Sequence, residues 1–284
     1  MRKPGGLRTL LTSWATSLLL AGCALSPQQA SDRIDQLVDA AWHEWHDWGQ
    51  QRVREQPGGG LCAELADASC QPVQDGCGRE LSGRYCELVN RYWPLVGNYR
   101  HPCEVTDVCL AQRPPGIEAI YTEPWSAAFI SYLFHRAGFG RFRFTLSDTH
   151  ADYVSATRDG LMPDFELIAT PLRPRRGDLL CIGRGPDREL APLQIDAIAN
   201  AASGPQFTRM HCDLVVAVTA TQATLIGGNV AQAVSLREIT LDDQGMARWQ
   251  PPPYSGWLLA LRLKAAARQP SVISQTAIPD ARKP

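Results

Sequence analysis

The sequence predicts an α+β fold in which a single apolar helix packs against an antiparallel sheet, preceded by a mainly helical, disulfide-rich region. Residues 125–137 form one apolar run with helical spacing that ends at Gly138. Several short apolar runs separated by turn residues follow this helix and are typical of strands. Before the helix, six cysteines lie in one stretch punctuated by glycine and proline: Cys62, Cys70, Cys77, Cys86, Cys103 and Cys109.

The first residues indicate export. A basic start precedes an apolar run at 10–20 that is too short to span a bilayer permanently, and the motif LAGC ends at Cys23. This layout resembles the signal sequence and lipobox of bacterial lipoproteins. The resemblance implies cleavage before Cys23, acylation of that cysteine and a membrane anchor made of acyl chains. Aspartate after the acylated cysteine is the usual signal for retention in the inner membrane, and Ala24 stands at that position. The resemblance therefore also implies that the protein is anchored in the outer membrane and faces the periplasm.

The charge pattern does not indicate a nucleic-acid partner. The chain has 28 basic and 29 acidic residues, which gives a formal charge of -1. Removing residues 1–22, which contain three basic residues and no acidic one, changes this charge to -4. The glycine run at 58–60 has no lysine after it and no strand before it, so a phosphate-binding loop is not predicted. We expect no cofactor.

The cysteines agree with an oxidising compartment. An even cluster of six in an exported chain predicts up to three disulfides, whose connectivity the sequence leaves open. Zinc binding is the alternative, but the spacings are irregular and contain no CxxC pair, so no metal site is predicted. Cys181 and Cys212 lie apart from the cluster in apolar runs that resemble strands. They either pair with each other or remain buried thiols.

The pattern divides the chain into five segments. These are a signal peptide at 1–22, a lipidated linker at 23–30, a helical cysteine-rich region at 31–115, a domain of one helix followed by strands at 116–264, and a disordered tail at 265–284.

Hydrophobic periodicity predicts the individual elements. A helix is expected over 31–56 with Ser31 as its N-cap, and a second helical run near 85–96. After the helix at 125–137, strands are predicted at 177–182, 211–218, 224–226 and 256–263, and a short helix at 193–202.

A candidate site lies at the start of the helix at 125–137. A helix start presents free N–H groups and the positive end of the helix dipole, which favour a nucleophile or an oxyanion, and Ser126 lies there. His211 opens a strand and can deliver a base, while Asn229 follows two glycines on the next strand and can hold the imidazole in one tautomer. The sequence therefore predicts Ser126, His211 and Asn229 as nucleophile, base and orienting residue.

Each of these three residues also has a purely structural interpretation. Ser126 belongs to the residue types that make the best N-caps, so its hydroxyl is either a cap or a nucleophile. His211 can be an ordinary histidine at a strand end. Asn229 after two glycines can be plain turn chemistry.

Four further residues are weaker site candidates. His150 lies in the first turn of a predicted helix and faces either the cleft or the surface. Asp213 shares one strand face with His211. Tyr121 is a candidate oxyanion donor, and Trp125 either forms a wall of the cleft or simply packs.

Five stretches carry a resemblance to a known family. In chain order over about residues 116–264 they read PWSAAFISYLFHRAG, SDTHADY, RRGDLLCI, HCDLVV and IGGNV. They resemble the bacterial domain of unknown function 2272, a family similar to the papain-like NlpC and CHAP (cysteine- and histidine-dependent amidohydrolase) hydrolases. The resemblance implies a papain-like fold. It also implies that the cysteine, histidine and polar third residue of those enzymes fall on Ser126, His211 and Asn229.

The resemblance implies a hydrolase of amide or ester bonds in the cell envelope, with peptidoglycan peptides as the substrate class. Serine in place of cysteine changes the chemistry, because an alcohol is far less acidic than a thiol and needs a general base as attack proceeds. The alternative function is a catalytically inactive envelope module that binds peptidoglycan or a protein partner through the same cleft.

Overall fold

The computed structural model describes residues 25–56, 60–64, 71–72, 80, 83–100, 103, 123–248 and 256–264. Several predicted features lie outside these residues: the signal peptide, the lipidation site Cys23, the boundary after residue 115, the tail at 265–284, and Cys70, Cys77, Cys109 and Tyr121. None of the described helices is both long enough and apolar enough to cross a membrane.

The described residues form four α-helices and nine strands. The helices are α1 (Pro27–Asp47), α2 (Gly83–Tyr92), α3 (Ser126–Arg136) and α4 (His150–Arg158). The strands are β1 (Arg52–Gln56), β2 (Gly60–Glu64), β3 (Gln71–Pro72), β4 (Phe165–Ala169), β5 (Leu179–Gly183), β6 (Met210–Val218), β7 (Gln222–Val230), β8 (Ala233–Thr240) and β9 (Leu259–Leu263).

All nine strands belong to one sheet, in the order β3-β2-β1-β8-β7-β6-β5-β9-β4. Neighbouring strands run antiparallel except β1 and β8, which are parallel. Helices and a mostly antiparallel sheet together confirm the predicted α+β class.

The first helix begins earlier than predicted. Ser26, rather than Ser31, is its N-cap: the Ser26 Oγ accepts a hydrogen bond from the Gln29 N–H at 3.2 Å. In return the Gln29 Oε1 accepts from the Ser26 N–H at 2.9 Å. Pro27 then occupies the first turn, where its missing N–H costs nothing. This reciprocal cap is a better start than a serine alone.

The region predicted as helical at 31–115 contains α1 and α2 among its described residues, and it also contributes strands that the sequence pattern did not predict. Gly49 and Gln50, with φ of 77° and 61°, end α1, and the chain then becomes extended as β1. β1 pairs with β2 and with β8, so this region extends the same sheet. The physical reason is alternation: the side chain of Val53 is buried, whereas Arg52 and Arg54 on either side are more exposed.

The later strands agree with the prediction in position and differ in length. The strands predicted at 177–182, 211–218 and 256–263 occur as β5, β6 and β9 with shifted ends. The strand predicted at 224–226 is part of the longer β7.

Two additional strands and a different insertion complete this half of the fold. β4 and β8 have no counterpart in the prediction. β8 follows β7 through a turn at Ala231 and Gln232 with φ of 52° and 60°, values that such residues rarely adopt, so the residue types do not reveal the turn. Two 3-10 helices, Pro192–Ala197 and Ala201–Gln206, replace the helix predicted at 193–202.

The main hydrophobic core holds the start of α3 in place. Phe129, Ile130 and Leu133 of α3 are fully buried in it. Trp48, at the end of α1, stacks on Trp125 with ring centroids 5.2 Å apart. Packing against the end of α1 therefore fixes the position of Trp125, the residue immediately before α3.

Described residues form two disulfides. Cys86 on α2 bonds to Cys103, which confirms bridging within the cysteine cluster. Cys181 on β5 bonds to Cys212, which lies directly opposite on β6, so these cysteines form a bridge and are not free thiols. Cys62 lies in β2.

Candidate functional site

Ser126 is the first residue of α3, but its hydroxyl does not cap the helix. Trp125 holds the N-cap position, and among the described residues no side chain caps this end. The Ser126 Oγ instead lies 2.7 Å from the Nε2 atom of His150. A helix start has N–H groups without intrahelical acceptors, and this start is buried. The arrangement is the one in which free N–H groups can meet an anionic oxygen.

His150 is the first residue of α4, and hydrogen bonds in the preceding loop place it. The hydroxyl of Ser131 on α3 donates to the Ser147 carbonyl at 2.7 Å and accepts from the Ser147 N–H at 2.9 Å. The Ser147 hydroxyl then accepts from the Thr149 N–H at 3.1 Å. The start of α4 is thus tied to α3 about one and a half turns from Ser126.

The second ring nitrogen of His150 is held by Tyr153. Its Nδ1 atom is hydrogen-bonded to the Tyr153 hydroxyl, one turn along α4. Burial raises the pKa of Tyr153 well above 10.0, so the phenol is neutral. When the His150 Nε2 accepts a hydrogen bond from the Ser126 hydroxyl, the ring proton of the neutral imidazole lies on Nδ1. The Nδ1–H then donates to the Tyr153 oxygen.

The imidazole of His150 is in the form that can act as a base. Burial lowers its pKa well below 6.5, and the charge of a protonated His211 would lower it further. His150 is therefore neutral at neutral pH.

His211 belongs to a second polar group, which lies on the sheet. Its Nε2 atom is 2.7 Å from the Asp213 Oδ1, and Arg237 donates to the Asp213 Oδ2 through Nη2. The Arg237 guanidinium also lies over the Trp257 ring, 4.5 Å from its centroid.

The charges of this second group determine the protonation state and the tautomer of His211. Burial would raise the pKa of Asp213, but Arg237 and His211 outweigh it and hold the pKa far below 3.8. Asp213 is therefore ionised and accepts from the His211 Nε2–H, which leaves Nδ1 as the basic nitrogen. Burial lowers the pKa of His211 from 6.5, so this imidazole is also neutral at neutral pH.

Two consecutive glycines on β7 allow the site to form. A Cβ atom on Gly227 would lie 1.7 Å from the Asp213 Oδ1. A Cβ atom on Gly228 would lie 2.6 Å from the Cβ of Phe129 on α3. Since successive residues of a strand point to opposite faces, the pair makes room for the carboxylate on one face and for the helix on the other.

The two histidines join the two groups into one cluster. Their ring centroids are 5.3 Å apart. Ser126 is 8% exposed, His150 4% and His211 2%, so the cluster lies just beneath the surface. Its members are Ser126, His150 and Tyr153 on the helices and His211, Asp213 and Arg237 on the sheet.

The cluster lies within the range matched by one protein family. The family model described as "Uncharacterized protein conserved in bacteria (DUF2272)" matches residues 86–262, more than half of the chain. The chain belongs to the DUF2272 family. All six members of the cluster fall within the DUF2272 match. No curated protein and no solved structure matches the chain.

The structure of this DUF2272 protein combines the predicted site residues differently from the prediction. Ser126 and His211 belong to one cluster, but the hydrogen bond of Ser126 goes to His150. His211 is held by Asp213 rather than by Asn229. Asn229 lies near the end of β7 with φ of 54°, and its side chain has no hydrogen bond to the described part of the chain.

The other residues of this DUF2272 site have structural roles or carry weak sequence signals. Trp125 is fully buried, and its Nε1 donates to the Glu80 Oε2 at 2.5 Å. Sequence reasoning missed Tyr153, although its spacing of three from His150 in a predicted helix is a usable signal. It also missed Arg237, for which no signal exists because β8 is not predicted. Within the described ranges, no group of three or more His, Cys, Asp or Glu residues is arranged to hold a metal ion.

We expect a reaction of Ser126 that needs neutral His150 to persist below pH 6.5. Because the pKa of His150 is lowered from 6.5, the ring stays unprotonated as the pH falls through that value. The measurement is the rate of Ser126 labelling by a fluorophosphonate between about pH 5 and pH 8. A rate already halved at pH 6.5 would contradict the expectation.

The lowered pKa values of His150 and His211 should make the protein less stable as the pH falls. The unfolded chain takes up the histidine protons near pH 6.5, before the folded chain does, so the free energy of unfolding decreases as the pH falls below 6.5. Stability that was constant from neutral pH down through this range would show that His150 and His211 are not the buried neutral rings described above.

Proposed function

We propose that this DUF2272 protein is a serine hydrolase of amide or ester bonds in the cell envelope, with Ser126 as nucleophile and His150 as general base. The observation that supports it most is the 2.7 Å contact between the Ser126 Oγ and the His150 Nε2 at a buried helix start that no described side chain caps. A nucleophile, a base within hydrogen-bond reach and a third group that orients the base make up the arrangement of nucleophilic catalysis.

Ser126, His150 and Tyr153 each have a role in the acylation step. As the Ser126 oxygen attacks the substrate carbonyl, its proton passes to the His150 Nε2, while Tyr153 holds the ring through Nδ1. The carbonyl oxygen becomes an oxyanion, which the free N–H groups at the start of α3 stabilise. The carbonyl bond then re-forms, the leaving amine or alcohol departs with the proton from His150, and Ser126 carries the acyl group.

His211 is the base for the second step. Asp213 accepts from its Nε2–H, so its Nδ1 is free to take a proton from water. The water oxygen attacks the acyl carbon, and the Ser126 oxygen leaves and takes up the proton that His211 removed from the water, so that both imidazoles end the cycle neutral. In this scheme His150 carries the proton in the first step and His211 in the second, and the 5.3 Å between their ring centroids supports action on the same carbonyl.

The envelope substrate and the papain-like relationship rest on the sequence. A helix carrying the nucleophile, followed by an antiparallel sheet carrying a histidine, is the order found in the papain-like NlpC and CHAP hydrolases, in which cysteine takes the place of Ser126. The lipobox-like motif ending at Cys23 supports an outer-membrane lipoprotein facing the periplasm, where peptidoglycan peptides are the abundant amides.

A non-catalytic function is the second candidate, and the burial of the cluster favours it. With Ser126, His150 and His211 at most 8% exposed, a substrate carbonyl has little room to reach the Ser126 oxygen. Such a protein would bind peptidoglycan or a partner protein through the same surface without cleaving it.

A serine-reactive probe separates the two functions. Fluorophosphonates form a covalent bond with serine hydroxyls that a nearby base activates. We expect wild-type protein to carry one adduct on Ser126, located by peptide mass spectrometry, and Ser126→Ala to carry none. Ser203→Ala is the matched control, because Ser203 is exposed and its loss should leave labelling unchanged. Folded wild type without an adduct would favour the binding function.

A further inference from the structure

Arg184 is placed on the same side of the sheet as His211. It directly follows β5, and its N–H donates to the Arg209 carbonyl at 2.8 Å, which continues the pairing of β5 with β6. Its backbone is extended, with φ of -128° and ψ of 154°. In the same pairing Ile182 lies opposite His211. Because side chains two residues apart on a strand share a face, Arg184 projects on the face that carries His211.

Both oxygens of the carboxylate in this cluster already accept a hydrogen bond. The two oxygens of Asp213 are occupied by His211 and by Arg237. Among the described residues, no acceptor takes a hydrogen bond from the Arg184 guanidinium, which is part-buried. Burial and the charge of Arg237 lower the pKa of Arg184 against the opposing effect of Asp213. When both histidines are neutral, the charges of this group are therefore two guanidinium cations, Arg184 and Arg237, and one carboxylate anion, Asp213.

Arg262 is a second arginine with little exposure in this fold, and it has the kind of carboxylate partner that Arg184 lacks among the described residues. Arg262 donates two hydrogen bonds to Asp178, at 2.8 and 2.6 Å, and so forms a complete ion pair. Arg184 lacks such a partner in the described part of the chain, and the Nε of Arg237 is also a buried donor without an acceptor there. A partly desolvated cation with unused donors is unfavourable unless an anion joins it.

We propose that Arg184 binds a carboxylate of the ligand that enters the Ser126 site. The planar guanidinium matches a carboxylate through two parallel hydrogen bonds, which a neutral amide cannot replace. This inference rests on the proposed function and narrows its substrate class: the preferred substrate carries a free carboxylate near the bond that is cleaved.

The test measures binding in the full chain carrying Ser126→Ala, so that no acyl transfer is involved. Histidine rings labelled with ¹⁵N report on the site by NMR during titration with N-acetylglycine, and N-acetylglycinamide is the neutral match. We expect N-acetylglycine to shift the His211 resonances to saturation and the amide to produce no saturable shift. Arg184→Gln should weaken N-acetylglycine binding about tenfold or more.

Two further variants control for charge and folding. Arg188→Gln removes the same charge from an exposed neighbour and should leave the affinity within about twofold. Arg184→Lys keeps the charge but not the fork, so it should give an intermediate affinity and covers the case in which Arg184→Gln does not fold. Equal binding of acid and amide, or an unchanged affinity in both Arg184 variants, would overturn the proposal. Saturable binding without fluorophosphonate labelling of the wild type would keep the carboxylate site and reject the hydrolase.

Discussion

Replacing His150 by glutamine should slow the reaction of Ser126 with a fluorophosphonate by about 10²- to 10⁴-fold. The His150 Nε2 is the described basic atom that contacts the Ser126 hydroxyl, at 2.7 Å, and glutamine keeps a polar side chain that cannot take up the proton. An alcohol without a base is a poor nucleophile at neutral pH, so nearly all of the reactivity should disappear. The measurement is the labelling rate of Ser126 under conditions in which wild type and variant are both folded.

Two variants make this result specific. His135→Gln changes an exposed histidine of α3 and should leave the rate unchanged. His211→Gln tests the base predicted from the sequence: it should affect labelling less than His150→Gln, because Asp213 and not Ser126 contacts the His211 Nε2. If His211→Gln abolished labelling and His150→Gln did not, the roles of the two histidines would have to be exchanged.

Replacing Gly227 by alanine should lower the free energy of unfolding by about 3 kcal/mol. The added Cβ atom would lie 1.7 Å from the Asp213 Oδ1, a contact that requires the carboxylate to move. The carboxylate cannot move cheaply, because it is 1% exposed and holds both His211 and Arg237. The same displacement should release the His211 ring, which changes its NMR resonances. Chemical denaturation and histidine NMR measure the two effects.

Gly140→Ala is the matched control for Gly227→Ala. A Cβ atom at Gly140 would meet no described atom within 4 Å, so this alanine should change stability by less than about 0.5 kcal/mol. If both alanine variants were equally stable, the carboxylate of Asp213 would not occupy the position described. If Gly227→Ala were destabilised with unchanged His211 resonances, the strain would be relieved elsewhere and Asp213 would not be what orients the ring.

Local patterns in the sequence were sufficient for α3 and β6, two of the elements that carry the site. The apolar run ending at Gly138 located α3 and put Ser126 at its start, since helix periodicity and end signals depend on neighbours within a few residues. Alternation in HCDLVV likewise placed His211 and Asp213 on one face of β6. The apolar runs also placed Cys181 and Cys212 in strands and left open whether they form a bond or remain thiols.

The partners of these residues could not be derived in the same way. His150 reaches Ser126 through the path of the loop that precedes α4, and that path depends on the Ser131 and Ser147 hydrogen bonds rather than on spacing. Asp213 replaces Asn229 as the partner of His211 because both side chains lie on one strand two residues apart, whereas Asn229 stands where β7 turns toward β8. Arg237 lies on β8, a strand that the hydrophobic pattern of the sequence does not predict.

By itself, the sequence determined the α+β class, the residue at the start of α3 and the strand that carries a histidine and an acid. The tertiary structure alone decided that Ser126 meets His150, that Arg237 completes the ion pair of Asp213, and that the N-terminal region joins the same sheet. The reason is that periodicity and capping are set by adjacent residues, whereas contacts between distant side chains depend on strand register and loop path. Many registers satisfy the same local pattern, and only the packing of the whole chain selects one of them.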